Sequence, residues 1–171
     1  MKTILITGAT SGIGLAAAKK LANEKNQLIL CGRRQRKLDE ISEELSKSAN
    51  VLSLCFDVSN KNEVNRLLND LPEQFSSVDV LINNAGNAHG LDTIQDGSLD
   101  DWDNMIDSNV KGLLYVSRVI IPKMIEQKCG HIINIGSLAG REVYEKGNIY
   151  CATKHAVNAI SKAMRIDLNK T

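Results

Sequence analysis

"ILITGATSGIGLAAAKKLA" (Ile4–Ala22) runs from an apolar stretch through glycines into a helical pattern. Gly8, Gly12 and Gly14 stand at G-x-x-x-G-x-G spacing. Each meets a separate geometric need. Gly8 permits a tight turn after a strand, Gly12 lets backbone approach a pyrophosphate, and Gly14 allows close helix–strand packing. The start of the helix favours negative charge, because its first N–H groups have no partner inside the helix. A strand, turn and helix of this kind at the head of the chain predict a dinucleotide-binding α/β sheet. The spacing departs from G-x-G-x-x-G, and any tight strand–helix connection also uses glycine.

Working outward, four more short apolar runs follow: "NQLILC", "VLSLCF", "VDVLIN" and "GHIINIG". Their Ile, Leu and Val content reads as strands buried on both faces, hence a parallel sheet between helices. Helical patterns separate them. Leu15, Ala18 and Leu21–Ala22 stripe the first helix, and Leu38, Ile41 and Leu45 the second. Asn60 caps a third, with Glu63 three residues on and Val64, Leu67 and Leu68 facing inward. Ser98 and Asp101 open a fourth that is expected to reach about Lys128, kinked at Pro122. A fifth carries Tyr150 and Lys154 and is expected to run to the chain end. Alternating strand and helix give one doubly wound, Rossmann-type domain over residues 1–171. A sheet of order 3-2-1-4-5-6 needs a sixth strand. Only five are countable, so a C-terminal portion with the last strand and a substrate lid is expected beyond residue 171.

Composition narrows the function classes. The 171 residues carry a net charge of +1. That balance points to no nucleic acid, membrane surface or polyanion as partner. No apolar run approaches membrane-spanning length. Cys31, Cys55, Cys129 and Cys151 have no C-x-x-C spacing and read mainly as small core residues of a reduced, cytoplasmic protein. His89, His131 and His155 are scattered, so no metal site is expected.

The cofactor type is readable after the second run. An NAD site places an acidic residue there for the ribose 2′-OH. This sequence has "LCGRRQRKL", with Arg33 and Arg34 in that place and Asp39 as the first acid. Guanidinium groups suit a 2′-phosphate, which favours NADP over NAD. At the other end, Tyr150 and Lys154 are four apart and share one helical face. A phenol is a poor proton acceptor near neutrality, and a nearby cation favours its ionised form. The other tyrosines lack such a partner: Asn148 follows Tyr144 at i+4, and Val119 follows Tyr115.

With these residues in hand, the chain resembles the short-chain dehydrogenase/reductase family over its whole length. The ordered marks are "TGATSGIG" (Thr7–Gly14), "NNAG" (Asn83–Gly86), Asn109, "NIGS" ending at Ser137, and "YCATK" (Tyr150–Lys154). The resemblance implies a cofactor site from Gly8, Thr10, Ser11, Gly12, Ile13 and Gly14. It adds Asp57 and Val58 at the adenine and Asn84, Ala85 and Gly86 beside the adenosine ribose. It implies Tyr150 as general acid/base and Lys154 on the nicotinamide ribose. Ser137 is then expected on the substrate oxygen, and Asn109 is expected to hold a relay water. A homodimer or homotetramer is implied too, with Leu113–Val116 and Val119–Ile121 either pairing subunits or facing the sheet. More narrowly, "GRRQRKL", "HIINIGSLAGREVY", "GNIYCATK" and "RIDL" resemble the NADP-dependent 3-hydroxy acid dehydrogenases. These act on serine, L-allo-threonine and related short acids. Alternatives are 3-oxoacyl-thioester or general carbonyl reduction, and a nucleotide-binding module without turnover. Arg141 and Glu142 are candidates to meet a substrate carboxylate or amine.

Overall fold

A computed structural model describes residues 1–169. Five parallel strands form one sheet: β1 (Lys2–Thr7), β2 (Asn26–Gly32), β3 (Asn50–Cys55), β4 (Val80–Asn83) and β5 (His131–Asn134). Their order is β3-β2-β1-β4-β5, the first five positions of the doubly wound arrangement. Strand periodicity sends alternate side chains to opposite faces. Both sets are apolar here. Leu5 and Ile29 join a core on one face with Val64, Leu68, Val116 and Ile120. Ile4, Ile6, Leu28 and Leu30 join a second core on the other face with Ala18, Leu38 and Ile41. Each such fully buried Leu, Ile or Val side chain contributes about 1.5–3 kcal/mol by leaving water. The edge strands differ from expectation. β3 and β5 are only half-buried, because each has a neighbour on one side alone.

The helices on these faces are α1 (Gly12–Leu21), α2 (Gln35–Leu45), α3 (Lys61–Asn69), α4 (Leu99–Ile106), α5 (Leu113–Glu126) and α6 (Asn148–Asp167). The two caps read from sequence are in place. Asn60 accepts from the N–H groups of Asn62 and Glu63, and the Ser98 hydroxyl accepts from the Asp101 N–H. The long fourth helix needs correction. A π-helical turn, Asp107–Gly112, divides it into α4 and α5. Pro122 sits within α5 and does not end it. The run on α5 packs mainly inward: Leu113, Val116, Val119 and Ile120 are buried, and Leu114 is 41% exposed. The last helix stops at Asp167, and the expected end at residues 170–171 lies outside the described residues. Among the described residues no helix is long and apolar enough to cross a membrane.

The strand ends that matter for the site are tied together. The Thr7 hydroxyl accepts from the N–H groups of Asn84 and Ala85, both at 3.0 Å. Asn84 Nδ2 donates to the carbonyls of Thr7 (2.9 Å) and Gly8 (3.1 Å). These bonds fix the crevice between the ends of β1 and β4, where an open α/β sheet binds ligands.

Candidate active site

A cleft of about 600 Å³ opens along the carboxyl ends of the strands. At its nucleotide end Gly12 adopts φ +54, the left-handed region that side chains avoid. No atom lies within 4 Å of where its Cβ would stand, so bare backbone faces the cleft. The α1 N-terminus beside it has no side-chain cap and no acidic residue in its first turn. The Ser11 hydroxyl, which could have capped it, accepts from Arg34 at 2.8 Å instead. Open N–H groups and absent carboxylates fit a pyrophosphate. Gly14 is buried behind this surface and does not line the cleft. A Cβ there would meet the Gly8 carbonyl and Asn84 Nδ2, each at 2.4 Å.

Gly8, Thr10, Ser11, Gly12 and Ile13 all line the cleft. Arg33 and Arg34 line it beyond β2. Arg34 Nη2 donates to Thr10 Oγ1 at 2.6 Å, so the arginine and the glycine turn are one unit. Arg33 Nη1 stands 3.1 Å from Asp57 Oδ2. Burial pushes the Asp57 carboxyl up, but bonds from Ser59 and Arg33 outweigh it and hold it below the usual carboxylate range. Arginines, not an acid, stand directly after β2, so the residues present fit a phosphorylated ribose better than a 2′-hydroxyl. Val58, Asn84, Ala85 and Gly86 continue the wall toward α6.

At the chemical end Tyr150 and Lys154 line the same cleft from one face of α6. Lys154 Nζ lies 6.0 Å from the Tyr150 ring centroid. It is buried, at 9% exposure, and donates to the Ile135 carbonyl at 3.0 Å. Desolvation pulls its pKa below the ordinary lysine value. Gly86 separates Lys154 from Asn109. A Cβ on Gly86 would stand 2.9 Å from Asn109 Oδ1 and 3.9 Å from Lys154 Nζ.

Two expected catalytic residues, Asn109 and Ser137, stand outside the cleft lining. Asn109 is 2% exposed in the π-helical turn and does not line the cleft. Its Oδ1 accepts from the Asn87 N–H (2.8 Å) and the Ser108 hydroxyl (3.1 Å). Its Nδ2 donates to the Asn87 carbonyl (2.8 Å) and Thr153 Oγ1 (3.1 Å). Both amide donors and one lone pair are therefore committed to protein, while the Ser108 hydroxyl proton is shared with the nearer Asn104 carbonyl at 2.7 Å. Ser137 begins the turn after β5, and its hydroxyl accepts from the Ala139 N–H at 3.1 Å. Its neighbours Ile135 and Gly136 line the cleft. Arg141 and Glu142 are exposed and line neither this cleft nor the cavity beside Tyr150.

Sequence reasoning missed three participants. Thr7 bridges β1 to β4, Asn87 holds Asn109 through its backbone, and Thr153 ties that knot to α6. Only Thr7 had a local signal, as the last residue before the glycine turn.

The short chain dehydrogenase family model matches residues 2–171. The chain is 43% identical over 168 residues to "NADP-dependent 3-hydroxy acid dehydrogenase YdfG" of Salmonella typhi, covering 98% of this chain and 67% of that protein. It is 43% identical over 169 residues to "Sulfoacetaldehyde reductase 2" of Chromohalobacter salexigens, again 98% and 67%. Among solved structures it is similar to the closed form of serine dehydrogenase complexed with NADP+, at TM-score 0.91 and 41% identity, covering 97% of this chain and 66% of that one. It thus spans about two thirds of the length of these relatives. A match along nearly the whole chain agrees with the sheet order and the shared cleft. The chain belongs to the short chain dehydrogenase family of oxidoreductases acting on hydroxyl groups.

Proposed function

We propose that this protein is an NADP-dependent oxidoreductase acting on a short 3-hydroxy acid or the matching carbonyl compound. The observation that carries the reading is one cleft lined by Gly12, Arg33 and Arg34 at one end and by Tyr150 and Lys154 at the other. The glycine turn and uncapped α1 N-terminus would hold the pyrophosphate, and the two arginines the 2′-phosphate. The bound nicotinamide supplies or accepts the hydride. Tyr150 would accept the alcohol proton in oxidation and return it in reduction. Lys154 has spare donors beyond its bond to Ile135, and these suit ribose hydroxyls. Ser137 Oγ uses a lone pair on the Ala139 N–H, which leaves its proton for a substrate oxygen. Asn109 would act as a positioning residue, locking the Asn87 backbone to Thr153 beside Lys154.

The relatives support the acid: one is named for 3-hydroxy acids, another for serine. The sulfoacetaldehyde reductase favours a second reading, reduction of a short anionic aldehyde through the same site. The four free cysteines support a reducing, cytoplasmic setting. Exposed Leu114 on α5 suits the expected homodimer or homotetramer. The test uses protein made from its own full coding sequence. Serine, L-allo-threonine and 3-hydroxypropionate should each reduce NADP and leave NAD nearly untouched. Turnover of 3-oxoacyl thioesters with none of the acids would overturn the substrate class, and absence of all turnover would leave only a nucleotide-binding module.

A further inference from the structure

Beside the cleft, and sharing Tyr150 and Ala88 with it, lies a second cavity of about 390 Å³. That is toward the small end of the roughly 300–1,000 Å³ range of ligand pockets. Tyr144, Lys146, Gly147 and Asn148 form one wall, and His89, Leu91 and Met105 belong to the other side. Lys146, an exposed residue, is the lining's one lysine, and no Asp or Glu lines it. Asp92 and Asp101 stand behind Gly90, outside the lining.

The wall with Lys146 is held in place. The Gly147 N–H donates to the Tyr144 carbonyl at 3.0 Å, closing a tight turn. Lys146 takes φ +63 in that turn, and the Tyr144 ring fills the space where a Gly147 side chain would stand. Asn148 Nδ2 donates to the Asp92 carbonyl at 2.9 Å, tying the turn to the opposite loop. The turn leads directly into α6, whose third residue is Tyr150.

We infer that Lys146 is a specificity-determining residue that binds the substrate's anionic group while Tyr150 meets the reacting oxygen. This rests on the short-acid reading above and deepens it. In a 3-hydroxy acid the carboxylate carbon is two bonds from the carbinol carbon, about 2.5 Å away. Tyr150 lines both the cleft and this cavity, so a substrate whose hydroxyl meets it can place its charge on the Lys146 side. The sulfonate of sulfoacetaldehyde stands two bonds from its carbonyl carbon in the same way. One lysine thus accounts for two acid types, because an ammonium acts as a point charge without the planar match of a guanidinium. Arg141, the sequence candidate, lies outside the lining.

The test compares 3-hydroxypropionate, 2-hydroxyethanesulfonate and the neutral isostere 3-hydroxypropionamide in the full-length protein. In Lys146→Met the kcat/KM ratio of each acid to the amide should fall about tenfold or more, as expected for a lost charge-assisted contact. The fall should lie in KM, with kcat for the acids within about threefold, since a binding contact is removed. Lys146→Arg should restore most of the ratio, and Arg141→Met should leave it unchanged. An unchanged ratio in Lys146→Met, with the wild type active on the acids, overturns this inference alone. A fall in Arg141→Met instead also overturns it. A wild type inactive on both acids overturns the short-acid reading and this inference with it.

Discussion

The cleft holds a cation at each end, and the two are kept in opposite ways. Arg34 is exposed and surrounded by its own hydroxyls, Thr10 and Ser11. Its charge stands near water, where it costs little and stays permanent. Lys154 is buried beside a single carbonyl, Ile135, and burial has already lowered its pKa. Its charge is destabilised until a ligand brings more oxygen acceptors. The Arg34 end is thus suited to recognition at the surface. The Lys154 end holds a desolvated cation, whose charged form further oxygen acceptors would favour.

The comparison can be broken most severely at Lys154. Lys154→Met should lower kcat by about 10²–10⁴-fold, the range for losing support to a general acid/base. The same variant reads the burial cost. A lysine with a lowered folded pKa binds fewer protons folded than unfolded between that value and about 10.5. Wild-type stability should therefore rise relative to Lys154→Met as pH climbs through that window, and stay level below it. Thermal melts from neutral to alkaline pH check the sign. A falling difference would mean that Lys154 is not desolvated.

At the opposite end the expected effect is smaller. Replacing Arg33 and Arg34 together by Ala should reduce the preference for NADPH over NADH by about 10–100-fold, the worth of one or two charge-assisted bonds. Cofactor titrations by fluorescence measure it. A preference that survives both changes would place the selection elsewhere. The smallest effect concerns the glycine turn beside Arg34. Gly14→Ala would push a methyl against the fixed Gly8 carbonyl, costing about 1–3 kcal/mol. At about 2–4 °C per kcal/mol, calorimetry should see a fall of a few degrees.

The same division explains what could be read in advance. The glycine turn, the Arg33–Arg34 pair and the caps at Asn60 and Ser98 are local, so residue types and spacing specify them. Tyr150 and Lys154 were visible because a helix repeats every few residues. The rest of the chemical end is tertiary. Asn109 answers to the backbone of Asn87, 22 positions earlier, and Lys154 to the carbonyl of Ile135, 19 earlier. The π-helical turn that points Asn109 inward has no residue signature in "DSNVKG". Half-buried β3 and β5 look like central strands in sequence because composition does not report how many neighbours a strand has.

The central claim is that Tyr150 exchanges a proton with the substrate oxygen beside a cofactor held by the rest of the cleft. Single-turnover oxidation of NADPH by the matching aldehyde, in wild type and in Tyr150→Phe, tests it most directly. The account predicts a hydride-transfer rate lower by about 10²–10⁴-fold with the NADPH dissociation constant within threefold of wild type. A Tyr150→Phe protein that transfers hydride at the wild-type rate would contradict it.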